Sequence, residues 1–207
     1  MTAPIAINAR AAMRAEVGGV ERVTKELVAR LPALAPDRYR VVAPPPRLAH
    51  RAGHTWEQLA LPVVARGAEL VFSPANTAPL AGRRNAVLIH DLAPLVEPDW
   101  YGKSYGAWHR TLLRATARRA KLAITPSEFV RGQLTELLGM PADHVVAVPM
   151  GVDPAFGAID PDAKVEGRQD DLHIDLIAVT SIPGTVLRHR LRLLAGNAWE
   201  LRDVSAA

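Results

Sequence analysis

The chain has 207 residues, of which 49% are hydrophobic and 22% are charged, proportions typical of a globular protein and unlike those of a disordered one. It contains no cysteine, which excludes disulfides and thiolate metal sites, and no apolar run approaches the roughly 20 residues of a membrane span. The formal net charge of +4 permits an anionic partner. Because the opening MTAPIAINAR does not resemble a signal peptide, we expect a cytoplasmic location.

Short β-rich runs alternate with helical ones along most of the chain. The predicted strands are Ile5–Asn8, Tyr39–Pro44, Glu69–Pro74, Ala86–Leu92, Lys121–Ser127 and Val145–Asp153. The predicted helices are Val20–Leu31, Thr55–Ala65, Tyr101–Lys121 and Glu128–Leu138. Apolar strands separated by helices predict an α/β fold, a Rossmann-like doubly wound parallel sheet, over residues 1–156. Residues 157–207 are predicted to form a short, atypical tail.

The predicted helix Tyr101–Lys121 is strongly amphipathic. Its apolar face is predicted to consist of Tyr101, Tyr105, Trp108, Leu112 and Ala115. Its basic face is predicted to consist of Arg110, Arg114, Arg118 and Lys121. The basic face fits either a solvated surface or peripheral contact with anionic lipid headgroups, and the pattern leaves both interpretations open.

In a doubly wound sheet, ligands bind outside the carboxyl ends of the strands, so the residues that follow each strand are candidates for a site. These residues are Gly18 and Gly19, then His90 and Asp91, then Thr125, Ser127 and Glu128, and finally Gly151 and Asp153. Together they are predicted to line one rim of the sheet.

Each candidate also has a structural interpretation. Gly18 and Gly19 precede a helix, whose free N–H groups favour an anion, but they also fit a tight loop. A neutral His90 is able to hydrogen-bond a sugar hydroxyl or accept a proton, or it holds its own loop in place. Asp91 fits the same site or an ordinary turn. Gly151 and Asp153 fit a turn or a linker.

The segment TPSEF has the pattern of a helix start. Thr125 is predicted as the N-cap, with Pro126 at the first helical position and Glu128 closing a capping box. Gly139 followed by Pro141 predicts the helix end. Glu128 is therefore expected to be structural, whereas Ser127 at the same helix start remains able to contact a ligand.

Several motifs are absent from the sequence. No GxGxxG follows the first strand, which counts against a nicotinamide-dependent oxidoreductase, and no GxxxxGK[ST] is present to indicate a P-loop enzyme. The histidines show no HExxH pattern, so no dedicated zinc site is expected. A basic stripe with few interleaved aromatic residues is a poor nucleic-acid signature, and no nucleic-acid partner is expected.

A series of linked motifs resembles the acceptor-side domain of family 4 glycosyltransferases. The motifs are GGVERV, WEQLALP, FSPANTAPL, IHDLAPL, EPDWYGKSYGAWHR, TPSEF and VPMGVDPAF, in that order. The resemblance implies one half of a GT-B fold, in which two Rossmann-like domains face each other across a cleft. It also implies retaining hexosyl transfer from a nucleotide-sugar to a glycan, lipid-linked or small acceptor. No metal or cofactor is expected, and cell-envelope polysaccharide synthesis, at or near the inner membrane face, is the expected setting.

The resemblance also implies roles for individual residues. Gly18 and Gly19 correspond to a glycine loop that faces the donor diphosphate and the acceptor. His90 and Asp91 are predicted as the catalytic residues: His90 corresponds to a cleft histidine that contacts the donor sugar, and Asp91 supports its loop. Two further positions are implied: Ser127 lines the cleft, and the segment from Gly151 to Asp153 leads toward the hinge. Met150 departs from the family, which usually has asparagine there.

The tail departs further from the family pattern. Members of the family continue with a donor-binding domain that carries an E-x7-E pair. The only glutamates in the tail are Glu166 and Glu200, and their spacing does not fit that pair. Its one predicted strand is LIAVTSIPG, and Arg188, Arg190 and Arg192 are interpreted as a solvated face. We therefore expect a truncated or frameshifted glycosyltransferase, incomplete as a single chain. The alternative is a non-catalytic module that binds a sugar or a partner and is completed by a donor domain in trans.

Overall fold

The structure, a computed structural model, describes residues 3–15, 18–50, 52–82, 84–151, 162–170, 173–185 and 187–188. The chain divides into two compact units, Met1–Met150 and Gly151–Ala207. The boundary predicted at residue 156 lies outside the described residues.

Six parallel strands form the centre of the first unit. They are β1 (Ile5–Asn8), β2 (Tyr39–Val42), β3 (Leu70–Ser73), β4 (Asn85–Leu88), β5 (Leu122–Thr125) and β6 (Val145–Ala147). They pair in the order β2-β1-β3-β4-β5-β6, and every pairing is parallel. The predicted Rossmann-like parallel sheet is therefore confirmed. The runs Tyr39–Pro44 and Glu69–Pro74 end earlier than predicted, because a proline has no N–H to donate to a strand ladder.

Helices occupy the connections between the strands. They are α1 (Gly19–Leu34), α2 (Pro46–Ala49), α3 (Gly53–Leu59), α4 (Leu61–Val64), α5 (Ala93–Val96), α6 (Lys103–Arg119) and α7 (Glu128–Leu138). The single helix predicted over Thr55–Ala65 is wrong. It is replaced by α3 and α4, because Pro62 lacks an N–H and fits only the first turn of a helix. Among the described residues, no helix is both long enough and apolar enough to cross a membrane.

Both faces of the sheet are covered by apolar side chains, as the alternating directions of strand residues require. On one face, Ile7 and Phe72 pack with the apolar side chains Val23, Leu27 and Leu31 of α1. The other face is packed in two clusters. One contains Ala6, Trp56 and Leu61 from β1, α3 and α4, and the other contains Val87, Leu113, Ala117 and Leu134 from β4, α6 and α7.

The buried face of α6 differs from the predicted one. The buried residues are Gly106, Leu112, Leu113, Thr116 and Ala117, all but one in the second half of the helix. Tyr105 and Trp108, predicted to be on the apolar face, are 55% and 43% exposed. The first half of α6 therefore presents aromatic side chains that the sheet does not cover, whereas Arg114 and Arg118 are exposed as predicted.

The second unit contains an antiparallel hairpin of β7 (Lys164–Asp170) and β8 (His173–Val179). Strand β8 contains part of the predicted run LIAVTSIPG, but the prediction of a single strand in this unit is wrong. The sequence of β7, KVEGRQD, is mainly polar, and its Val165 is 65% exposed. The sequence of β7 lacks the regular alternation of apolar and polar residues by which a strand is predicted. Arg188 is exposed, and Arg190 and Arg192 lie outside the described residues.

Candidate functional site

The strand order of the first sheet reverses between β1 and β3. In an open α/β sheet the ligand crevice lies at such a switch point, outside the carboxyl ends of the two strands. The last residues of these strands are Asn8 and Ser73, and both are buried. Asn8 Nδ2 donates to Ser73 Oγ at 3.2 Å. The sheet therefore carries buried polar groups at the position where this fold binds its ligands.

A buried ion pair occupies the same position. The Arg10 and Glu57 side chains are 7% and 0% exposed, and Arg10 Nε lies 2.7 Å from Glu57 Oε2. Asn8 Nδ2 donates to the same carboxylate oxygen at 2.9 Å, while the Arg10 N–H donates to Asn8 Oδ1 at 3.2 Å. A buried carboxylate is costly unless it is paired and hydrogen-bonded, and Glu57 is both.

The ion pair also fixes the loop that follows β3. Thr77 Oγ1 donates to Glu57 Oε1 at 2.6 Å, and Arg10 Nη2 donates to Thr77 Oγ1 at 3.2 Å and to the Ala75 carbonyl at 3.5 Å. Gln58, next to Glu57 on α3, donates to the Ala78 carbonyl at 3.1 Å. The loop 74–77 is therefore held through its side chains and its backbone, and we call Asn8, Arg10, Glu57 and Thr77 the strand-end network.

His90 is attached to this loop at two points. Asn76 Oδ1 accepts from the His90 N–H at 2.7 Å, and His90 Nε2 lies 2.9 Å from the Pro74 carbonyl oxygen. Because a carbonyl only accepts, the proton of the neutral ring is assigned to Nε2, which leaves Nδ1 as an acceptor. Asn76 has the left-handed φ of 59°, uncommon for a residue other than glycine. This conformation lets Asn76 donate its N–H to the Leu88 carbonyl while its side chain holds His90.

Asp91 is exposed and organises the turn after β4, because its Oδ1 accepts from the Ala93 N–H at 3.0 Å. This hydrogen bond favours the structural interpretation of Asp91 as a residue that supports the His90 loop.

Gly18 and Gly19 form the start of α1. Gly18 is the N-cap, and its N–H donates to Glu21 Oε2 at 3.1 Å, while Glu21 also pairs with Arg14 at 3.1 Å. A Cβ added to Gly18 would lie 2.9 Å from that carboxylate oxygen, whereas a Cβ on Gly19 would meet no atom within 4 Å. A side chain at Gly18 would therefore displace the flexible end of Glu21 from the helix start, whereas Gly19 faces open space.

The helix start in TPSEF differs from the prediction. Thr125 remains in β5, paired with Ala147 of β6, so it is not the N-cap. The cap is Ser127, whose Oγ accepts from the Val130 N–H at 3.3 Å, and Glu128 pairs with Arg131 at 3.0 Å. The Ser127 hydroxyl keeps its proton for donation.

The remaining predictions concern the end of α7 and the segment that follows β6. Gly139 ends α7 with φ 64°, as predicted. Gly151 is exposed, and Asp153 lies outside the described residues.

Two histidines extend the site toward α6. His54 Nε2 lies 3.3 Å from Arg10 Nη1, and because arginine only donates, Nε2 is the acceptor and the neutral ring carries its proton on Nδ1. Burial, together with the charge of Arg10, lowers the pKa of His54 to about 4. Burial and Arg10 also lower the pKa of His109. Within the described ranges, no group of three or more His, Asp or Glu side chains is arranged to hold a metal ion.

The sequence interpretation did not single out the strand-end network. Arg10 and Glu57 are 47 residues apart, so no local spacing relates them. The available signal was Glu57 itself, a charged residue between Trp56 of α3 and Leu61 of α4, since glutamate is rarely buried unless it is paired.

Glu57→Ala is expected to destabilise the first unit by about 3 to 5 kcal/mol, because it leaves the buried Arg10 guanidinium without its carboxylate. Urea unfolding followed by circular dichroism measures this change. The matched control is Glu26→Ala, which removes an exposed ion pair with Arg30 and is expected to cost less than about 1 kcal/mol. Equal effects of the two substitutions would show that the buried pair does not stabilise the strand ends.

Lowering the pH from 7.5 to 5 is expected to destabilise the first unit, with His54 contributing up to about 2 kcal/mol. The unfolded His54 has its ordinary pKa of 6.5 and the folded one a pKa of about 4, so the unfolded state takes up the proton first as the pH falls. His54→Gln should flatten this pH dependence in urea unfolding, whereas His50→Gln, at an exposed position, should leave it unchanged. A His54→Gln slope equal to that of the unsubstituted chain would contradict the assignment.

Comparison with known families gives one match. Residues 70–156 match the sequence model of Glycosyltransferase Family 4. The match begins at the first residue of β3 and includes the loop 74–77, His90, Asp91 and Ser127, whereas Gly18, Gly19, Arg10 and Glu57 precede it. No curated protein matches the chain significantly. The matched segment and the six-stranded parallel sheet together support an N-terminal domain like that of family 4 glycosyltransferases.

Proposed function

We propose that this domain is the acceptor-side half of a retaining hexosyltransferase that uses a nucleotide-sugar donor. The main support for this proposal is the geometry of His90. The loop 74–77 holds this residue at the carboxyl ends of the strands, and its Nδ1 is left as a hydrogen-bond acceptor. In the proposed complex, Nδ1 accepts from a hydroxyl of the donor sugar and fixes the sugar ring. The matched segment supports a glycosyltransferase-like function in general, and the retaining outcome and the hexose are part of the proposal.

In the proposed reaction, the protein contributes mainly by positioning the two substrates and by stabilising the charge on the leaving group. The acceptor hydroxyl oxygen bonds to the anomeric carbon on the face from which the diphosphate leaves, and the bond from that carbon to the phosphate oxygen breaks. The hydroxyl proton passes to the leaving phosphate. The open space in front of Gly19, at the positive end of α1, suits the developing negative charge on the diphosphate. No metal ion or cofactor is part of this proposal.

The second candidate function is a non-catalytic module that binds a sugar or a partner and is completed by a donor domain in trans. The observation in its favour is that both groups make structural hydrogen bonds: Asp91 Oδ1 accepts from the turn after β4, and His90 Nε2 donates to the Pro74 carbonyl in the loop after β3. Copurification with a polypeptide that carries a donor-binding domain would support this candidate. Turnover by the chain alone would count against it.

Peripheral contact with an anionic membrane is a further proposal for the basic side of α6. Arg114 and Arg118 are exposed there, one turn apart, and Lys121 follows the helix and is exposed as well. Clustered cations near a surface attract anionic headgroups within a Debye length. A lipid-linked acceptor would be delivered from such a surface.

His90→Ala is expected to weaken nucleotide-sugar binding and sugar transfer by about tenfold or more, the effect of losing one ligand hydrogen bond in a closed site. Calorimetry with UDP-glucose and GDP-mannose measures binding, and transfer to a methyl glycoside is assayed with the chain alone and with any copurifying polypeptide. His144→Ala is the matched control, because His144 directly precedes β6 at the opposite, amino edge of the sheet. If neither nucleotide-sugar binds and no sugar is transferred, the proposed function is wrong.

A further inference from the structure

Five aromatic rings form a continuous row beside the strand-end network. The ring centroids of Tyr101 and Tyr105 are 6.3 Å apart, and those of Tyr105 and His109 are 4.4 Å apart. His109 and Trp108 follow at 5.1 Å, and Trp108 and His54 at 4.7 Å. We call these five residues the ring row. Its rings order one another, so the row is a preformed surface.

The middle of the ring row is open to solvent. Tyr105 is 55% exposed and Trp108 is 43% exposed, although both lie on a helix whose second half is buried. Large aromatic side chains are costly to leave in water, and their exposure in one contiguous patch indicates a binding surface.

The ring row is continuous with the candidate site. At one end, His54 accepts from Arg10 Nη1 at 3.3 Å, and Arg10 belongs to the strand-end network. At the other end, burial and the nearby charge of Asp91 raise the pKa of Tyr101. Asp91 is next to His90, so the ring row and His90 lie on the same rim.

The ring row is also uncharged at neutral pH. Burial and the charge of Arg10 lower the pKa of both His54 and His109, so both rings are neutral. At the Tyr101 end of the row, the nearby negative charge of Asp91 disfavours an anionic ligand. A neutral ligand with an apolar face fits this surface better than a phosphate or an anionic lipid headgroup.

We propose that the ring row is a stacking platform for a pyranose ring of the acceptor, with Trp108 and Tyr105 as the two rings that contact it. A pyranose presents a face of C–H groups that packs on an aromatic ring, and an edge of hydroxyls that remains available to polar side chains. This inference rests on the proposed function and narrows it: the acceptor is a glycoside rather than a small molecule without a sugar.

Saturation-transfer difference NMR tests the proposal without a donor. The probes are the methyl pyranosides of glucose, galactose, mannose and N-acetylglucosamine. We expect saturation to reach the ring C–H protons of at least one of them. The dissociation constant should rise about tenfold in Trp108→Ala and several-fold in Tyr105→Ala, and Trp108→Phe should restore part of the affinity.

The matched control is Leu34→Ala, which removes an 80% exposed apolar side chain from the last turn of α1, away from the carboxyl ends of the strands. Its affinity for the glycoside should equal that of the unsubstituted chain. Circular dichroism of each variant shows whether the sheet is intact, and Tyr105→Phe, which keeps the ring, should still bind.

Three results would overturn the platform. The first is the absence of saturation transfer to every glycoside, and the second is equal affinity in Trp108→Ala and Leu34→Ala. The third is Trp108-dependent binding to phosphatidylglycerol vesicles without glycoside binding, which would identify the row as a membrane contact. Trp108-dependent glycoside binding together with failure of nucleotide-sugar binding and transfer would retain the platform as a sugar site and reject the proposed transferase.

Discussion

The buried ion pair of Arg10 and Glu57 is the interaction on which the candidate site depends. Glu57 is fully buried, and its carboxylate is stable there because Arg10, Asn8 and Thr77 all donate to it. These donors come from the end of β1 and the loop after β3, whereas Glu57 comes from α3. Removing one partner leaves a buried charge uncompensated, so the three segments are held in one arrangement. The ion pair therefore fixes the relative positions of these three segments at the switch point of the sheet.

The geometry that follows from this pair reaches His90. Asn76, in the loop that Thr77 and Ala75 anchor, adopts a left-handed conformation that a surrounding structure must maintain. Its side chain then holds the backbone of His90, and the Pro74 carbonyl holds the ring. The position and the tautomer of His90 thus depend on Arg10 and Glu57, which act through the loop 74–77. The ring row begins at the same Arg10, so both parts of the rim share one support.

Much of the fold follows from local patterns. Apolar strand runs separated by helical runs predicted the parallel sheet, and the family resemblance is confirmed over residues 70–156. Where the structure differs from these predictions, contacts between residues far apart in the sequence decide the outcome. Thr125 stays in β5 because β6 pairs with it, so Ser127 becomes the helix cap.

The site was predictable in part for the same reason. His90 and Asp91 were predicted as site residues because a polar pair directly follows an apolar strand run, and their roles toward a ligand stay predictions. Arg10 and Glu57 were not found, since their relation exists only across 47 residues of chain. The exposure of Tyr105 and Trp108 escaped prediction because helical periodicity does not show where the covering sheet ends. The roles of Gly18, Gly19 and Ser127 toward a ligand stay predictions.

The central claim is that the Arg10–Glu57 pair sets the position and the tautomer of the His90 ring through the loop 74–77. Long-range ¹H–¹⁵N correlation NMR of the His90 ring tests it most directly, in the unsubstituted chain and in Glu57→Gln, whose side chain has the same shape but no charge. The account predicts a neutral Nε2–H tautomer in the first and, in a folded Glu57→Gln, a mixture of tautomers as the hydrogen bond to the Pro74 carbonyl loosens. An identical His90 spectrum in both would show that the loop holds His90 without the buried pair, and would contradict the claim.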